Sequence, residues 1–156
     1  MTAIRRITKE ITALCLEIQS EPIDNHRIIS IHSKDDNILN LDVYFLGPKE
    51  SPYEEIINNI HIQILPDYPN KPPNMKFINK IFHPNISYDG SICLDILKDK
   101  WSPVYTIRTI ILSIISLLSD PNPDSPLNGE AAKLYKESLL TKENRRKYIK
   151  KILETI

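Results

Sequence analysis

The sequence predicts an α+β fold in one domain, and three observations carry that prediction. Apolar residues recur at three- and four-residue steps near the N-terminus, alternate with polar ones through the middle, and return to helical spacing in the last third. Between the alternating and the final helical regions lies a stretch dense in Pro, Asn, Asp and Gly. A chain of 156 residues is large enough for one hydrophobic core and too short for two ordinary ones. No repeat, linker or low-complexity tract divides residues 1–156, so a single domain is expected.

The elements follow in order. Ile4, Ile7, Ile11, Leu14 and Ile18 mark an amphipathic helix over residues 3 to about 19, with Arg5, Arg6 and Lys9 off the apolar stripe and Cys15 beside it. "LNLDVYF" then sets Leu39, Leu41, Val43 and Phe45 on one side, and "IHIQI" does the same with Ile60, Ile62 and Ile64. With "HRIISIHS" before them and "MKFI" after, the stretch from His26 to Ile78 reads as a four-stranded antiparallel meander. The texture from Pro66 to Trp101 predicts a long ordered loop region that carries function. Thr106 can cap a helix whose Ile107, Ile110, Ile111, Ile114, Ile115 and Leu118 make it apolar nearly all round, which places it in the core against the sheet. It stops at "SDPNPDSP", and two amphipathic helices close the chain, about Glu130 to Leu139 and about Lys142 to Thr155. Tyr148, Ile149, Ile152 and Leu153 form the apolar stripe of the last.

Composition narrows the function classes. Twenty basic residues balance twenty acidic ones, so the total charge demands no nucleic acid or other polyanion, and charge-driven contacts must be local. No apolar run approaches the roughly 18 residues that span a bilayer, and the N-terminus lacks the continuous apolar core of a secretory signal. The expectation is a soluble protein of the cytosol or nucleus, with no membrane contact. Cys15 and Cys93 lie too far apart in sequence for a disulfide framework or paired zinc ligands.

Cys93, in "HPNISYDGSICLDILKDKWSP", admits four readings. A buried inert thiol is the ordinary fate of a free cysteine. The turn signal Asp89-Gly90, three residues ahead, argues instead for a loop edge that reaches solvent. A metal site would need convergent ligands, whereas His26, His32, His61 and His83 are scattered. A protease-like nucleophile needs an imidazole base, and only His83 is close in sequence; the following Pro84 biases it to extended backbone and a structural role. The fourth reading is a thiol that accepts an acyl group and passes it to an amine, which needs no strong dedicated base.

A wider set of motifs favours the fourth. "GPKESPYEE" (Gly47 to Glu55), "YPNKPP" (Tyr68 to Pro73), "HPN" (His83 to Asn85), "GSICLDIL" (Gly90 to Leu97), "WSP" (Trp101 to Pro103) and "DPNPDSPLN" (Asp120 to Asn128) together resemble, in order and spacing, the ubiquitin-conjugating enzymes. The likeness runs from about Ile4 to the C-terminus, the catalytic core of that family; it resembles the Rad6-like and general-purpose branches, with "NKPP" favouring the former.

The resemblance implies that Cys93 takes ubiquitin as a thioester from an activating enzyme, which has spent the ATP, and hands it to a substrate lysine with a RING-type ligase. It implies a monomer that needs neither cofactor nor metal. By the same resemblance Asn85 would steady the oxyanion formed on lysine attack or hold the active-site loop. Asp95 and Asp124 are the acidic candidates for orienting the lysine. Ser125 sits at the gate position beside the cleft, where many relatives carry Asp, and phosphorylation there would supply a similar charge. The implied partner face comprises Arg5, Arg6 and Lys9, the loop ending at Pro69 and Asn70, and Ser102 with Pro103. Asn70 stands where some relatives place Phe or Met, and Glu55 with Ile56 replaces a commoner Gly-Gly. Ser30 marks the strand that would offer a second ubiquitin contact on the back of the sheet. The alternatives are a carrier for a different ubiquitin-like modifier, and an inactive variant that only binds ubiquitin.

Overall fold

The computed structural model describes residues 2–156. The order is α1 (Ala3–Ser20), α2 (Ile23–His26), β1 (Ile28–Lys34), β2 (Asn37–Leu46), β3 (Ile57–Gln63), β4 (Asn74–Phe77), α3 (Ile107–Ser119), α4 (Gly129–Ser138) and α5 (Lys142–Thr155), with one 3₁₀ turn at Asp95–Leu97. The expected α+β order, with a helix, four strands, a long loop and three helices, is present.

Helix starts are set by side-chain caps. Thr2, Thr106, Asn128 and Thr141 each accept a hydrogen bond from the backbone N–H three residues on, satisfying donors that the first turn leaves free. α1 buries Ile7 and Leu14, while Ile11, Cys15 and Ile18 pack partly against the core. α2 is a single turn in the stretch where the strand pattern alone suggested β-structure beginning at His26. Arg27 ends it in the left-handed region at φ 63°, and its guanidinium donates to the carbonyls of Gly47 (2.9 Å) and Glu54 (2.8 Å) and pairs with Asp24 (2.9 Å). These long-range bonds leave no local periodic trace.

The sheet runs β1-β2-β3-β4, all antiparallel. Asp35 and Asp36, both at φ 55°, close the first hairpin in the doubly left-handed form that matches strand twist. Register sets Ile31 against Val43, Val43 against Ile60, and Ile60 against Phe77, so one face is continuous hydrocarbon. Ser30 lies opposite Tyr44 and is half-buried on the outward face. α3 lays Ile107, Ile110, Ile111, Ile114, Ile115 and Leu118 into the core, all buried as their spacing predicts. Each contributes on the order of 1.5–3 kcal/mol of transfer free energy. On α5 the predicted stripe divides: Tyr148 and Ile152 are buried, whereas Leu153 is 54% exposed, because the helix meets its neighbours along one edge only. There the Tyr148 ring packs near Phe82 and Tyr135.

The segment from residue 81 to 86 is buried at every position. A non-strand backbone can pass through a core only if its polar groups find partners. Tyr53 Oη donates to the Phe82 carbonyl (2.5 Å), His83 Nε2 donates to the Leu117 carbonyl on α3 (2.8 Å), and the Asn85 N–H donates to His83 Nδ1 (3.0 Å). Both nitrogens of His83 are therefore used internally. Burial pushes its imidazole down to about 4, against a smaller opposing effect of the bond to Leu117.

A Cβ at Gly90, which sits at φ +91°, would lie 2.1 Å from the Phe77 carbonyl oxygen, whereas one at Gly129 would meet nothing within 4 Å. Gly90→Ala should cost on the order of 3 kcal/mol in urea unfolding, and Gly129→Ala should be neutral or stabilise by up to about 1 kcal/mol. His83 is neutral in the fold and has an ordinary value of 6.5 when unfolded. Its contribution is thus complete above that pH and is lost as pH falls from 6.5 towards 4, a loss of up to about 3 kcal/mol. NMR titration should find the His83 ring neutral down to about pH 4 while unfolding free energy declines over that window.

Candidate active site

The thiol is placed by backbone on both sides. Upstream, the turn from Ser87 to Ser91 closes through the Gly90 N–H to the Ser87 carbonyl (3.0 Å) and the Ser87 N–H to the Ser91 carbonyl (2.9 Å). Ile86 and Ile92 then form an isolated antiparallel bridge, and the Cys93 N–H donates to the Asn85 carbonyl at 2.8 Å. Downstream, the 3₁₀ turn folds back, with the N–H groups of Lys98 (2.9 Å) and Lys100 (3.1 Å) both on the Asp95 carbonyl. Cys93 is half-buried at this junction, at the loop edge expected from Asp89-Gly90.

The thiol opens into a pocket of about 350 Å³ whose walls include Asn85, Asp95, Lys98, Asp99, Asn122 and Ser125. Asn85, with 1% of its surface exposed, spends its carboxamide on the loop that forms the opposite wall. Nδ2 donates to the carbonyls of Asn122 (2.7 Å) and Ser125 (3.1 Å), and Oδ1 accepts from the Asn122 N–H (2.8 Å). Loop holding is thus its visible role, and donation to an oxyanion would require release of one of those carbonyls.

Of the expected acidic pair, Asp95 lines the pocket. Asp124 does not; its carboxylate is 86% exposed and lies 3.8 Å from Lys136 on α4. Ser125 is exposed at the pocket's edge. Lys98, Asp99 and Asn122 line the pocket as well, beyond the residues that the sequence pattern implies for it. Lys98 Nζ stands 3.9 Å from Cys93 Sγ. Charged residues five and six positions after the thiol carry no sequence sign of returning to it; the 3₁₀ turn brings them back.

The segments that the resemblance implies for partner binding lie side by side. Arg6 on α1 donates to the carbonyls of Pro103 (2.8 Å) and Tyr105 (3.0 Å), and Trp101 Nε1 donates to the Pro69 carbonyl (2.9 Å). Glu10 accepts from Arg6 Nε (2.8 Å), Tyr68 Oη (2.5 Å) and the Ile107 N–H (2.7 Å). α1, the loop at Pro69 and Asn70, and the loop at Ser102 and Pro103 therefore form one continuous surface. Arg5, Lys9, Asn70 and Pro103 are exposed on it, whereas Arg6 is consumed in holding it together.

Comparison with known proteins gives the geometry a context. A family model described as ubiquitin-conjugating enzyme matches residues 6–155. "Ubiquitin-conjugating enzyme E2 1" of Caenorhabditis elegans is 48% identical over 122 residues, 78% of this chain and 60% of that protein, so the chain spans under two thirds of that relative's length. "Ubiquitin-conjugating enzyme E2 3" of Arabidopsis thaliana is 44% identical over 128 residues, covering 82% of this chain and 81% of its own. "Ubiquitin-conjugating enzyme E2 2" of Trichoderma harzianum is 45% identical over 121 residues, 78% of this chain and 76% of its own. The crystal structure of the H. polymorpha ubiquitin conjugating enzyme Pex4p, in complex with the soluble domain of Pex22p, superposes with a TM-score of 0.89 at 30% identity, covering 99% of this chain and 96% of that one. With the core elements, the buried His-Pro-Asn segment and the half-exposed thiol in place, these matches establish that the chain belongs to the ubiquitin-conjugating enzyme family.

Proposed function

We propose that the protein accepts ubiquitin on Cys93 as a thioester from an activating enzyme and transfers it to a substrate lysine, with a RING-type ligase docked on the face formed by α1, Pro69-Asn70 and Ser102-Pro103. The observation that carries this reading is the placement of the thiol: half-exposed, at an open polar pocket, with the nearest histidine in sequence sealed in the core and both its nitrogens occupied. A hydrolase would need that imidazole as a base. An acyl carrier does not, because the thioester arrives activated and the incoming amine is the nucleophile.

In transfer, the lysine nitrogen attacks the thioester carbon, a C–N bond forms, the C–S bond breaks, and the thiol is regenerated. Asp95 and Asp99 offer carboxylates to orient the arriving ammonium and take part in its desolvation. Ser125 stands at the rim, where a phosphate would add a further negative charge. Asn85 is a positioning residue that fixes the wall containing Asn122 and Ser125 relative to the thiol.

The direct test is a charging assay with activating enzyme, ATP and ubiquitin, resolved with and without reductant, and with other ubiquitin-like modifiers in parallel. The expected result is a ubiquitin adduct that reductant removes and Cys93→Ala abolishes, while Cys93→Ser gives an oxyester that withstands reductant. Loading by a different modifier alone would reassign the carrier, and loading by none would leave a binding role. Asn85→Ala should still load, but with the Asn122–Ser125 wall misplaced its discharge onto free lysine should slow about a hundredfold, with the loss in the rate at saturating lysine. An unchanged rate would remove Asn85 from the transfer step.

A further inference from the structure

The balanced charge of the chain hides a basic surface on its last helix. We propose that the α4–α5 turn and the outer face of α5 form a docking groove for an acidic amphipathic segment of another protein, whose leucine-type side chains fill two adjoining hollows while its carboxylates meet Lys142, Arg145 and Arg146.

α5 carries six basic and two acidic residues in a chain whose total charge is zero. Lys147 pairs with Glu143 (3.8 Å), Lys150 with Glu154 (3.8 Å) and Lys151 with Glu130 (3.6 Å). Lys142, Arg145 and Arg146 stand exposed, with no carboxylate within 4 Å among the described residues. They crowd the start of the helix while its last turn holds no base, an order of charge that opposes the helix dipole. Arg146 also sits four residues from Lys142 on one side and from Lys150 on the other, where like charges repel. The fold leaves this positive charge uncompensated, and an anion from outside would relieve it.

The apolar part of the surface is interleaved with those cations. A hollow of about 470 Å³ at the turn is lined by Leu139, Leu140, Lys142, Arg145 and Arg146. A second, of about 430 Å³, is lined by Arg146, Ile149, Lys150 and Leu153, with Glu154 at its edge. Arg146 joins the two. Leu139 and Leu140 are 65% and 78% exposed, yet backbone bonds hold the turn that carries them. The Leu139 N–H donates to the Lys136 carbonyl (3.3 Å), the Leu140 N–H donates to the Glu137 carbonyl (3.0 Å), and Thr141 caps α5. Leucines fixed in water beside unpaired cations complement a helix that carries leucine on one face and carboxylates around it. From Lys142 to Leu153 the groove runs about 17 Å, or about three turns of such a helix.

An anionic bilayer fits this surface less well. The side chains of α5 that could enter lipid, Tyr148 and Ile152, are buried in the core, which leaves Ile149 and Leu153 as a stripe too narrow to insert. A polyanion without apolar groups would meet the cations and leave the hollows empty. No residue of the groove lines the thiol pocket or belongs to the face built on α1, Pro69-Asn70 and Ser102-Pro103, so a segment bound here holds a partner without occluding either.

The experiment titrates the full chain, labelled for NMR, with synthetic peptides of about fourteen residues. One has leucines at helical spacing on one face and glutamates elsewhere, one has the same composition with the leucines scattered round the helix, and one has alanine in place of leucine. Vesicles of phosphatidylserine and phosphatidylcholine are run in parallel. The first peptide should shift the amides of the α4–α5 turn and α5, bind at least about tenfold tighter than the other two, and weaken as salt is raised. Arg146→Glu and Leu140→Ser should each weaken it at least about tenfold. Arg146→Glu sets a carboxylate four residues from both Lys142 and Lys150, so its thermal midpoint should equal or exceed that of wild type, which separates lost binding from lost folding. Equal binding of all the peptides, shifts centred elsewhere on the molecule, or binding to vesicles with none to the first peptide would overturn the proposal.

Discussion

The carboxamide of Asn85, sealed from solvent, is the interaction on which the rest of the active site hangs. Its three side-chain hydrogen bonds capture the loop of Asn122 and Ser125, and its carbonyl receives the Cys93 N–H. A buried amide left unpaired costs about 1–3 kcal/mol, so this geometry resists drift. The residue can sit there only because the segment 81–86 crosses the interior with its polar groups answered by Tyr53, Leu117 and His83. The thiol's position is therefore inherited from core packing. The pocket's floor belongs to the interior through Asn85, while Asp95, Lys98, Asp99, Asn122 and Ser125 stand exposed around it.

A second, partly buried group organises the surface around α1. The Glu10 carboxylate accepts from Arg6, Tyr68 and the first N–H of α3, joining a helix, a proline loop and a helix start in one charge-assisted cluster. The helix N-terminus favours an anion there independently of Arg6. The Arg6 guanidinium also lies over the Tyr68 ring, 5.8 Å from its centroid, and is spent on backbone carbonyls of the Pro103 loop. Its charge thus builds the surface, and Arg5 and Lys9 remain to meet a partner. The chain's zero net charge conceals this division between structural and available cations.

Both clusters meet in the run from Cys93 to Tyr105. Its first half folds back under the thiol in a 3₁₀ turn, and its second half is pinned by Trp101 to Pro69 and by Arg6 to Pro103. Ligase docking and thiol chemistry would accordingly share one continuous stretch of backbone. The Lys98 amine lies between them, 3.9 Å from the sulfur.

Much of this was legible in the sequence because it depends on periodicity and local chemistry. The isoleucines of α3, the alternation through β2 and β3, and the cap Thr106 are short-range properties, and each formed as its spacing required. The His-Pro-Asn and Cys-Leu-Asp motifs pointed to the thiol, and its loop-edge placement followed from Asp89 and Gly90. Other features depend on which distant groups meet. Asp124 turns to Lys136 while Lys98 and Asp99 turn to the thiol, and Arg27 makes a one-turn helix of an apparent strand start by finding two remote carbonyls. Sequence alone determined the elements and their order and marked the thiol, since neighbouring residues decide those. Tertiary structure alone decided which charges are available and which polar groups are consumed, because a hydrogen bond between residues tens of positions apart leaves no periodic mark along the chain.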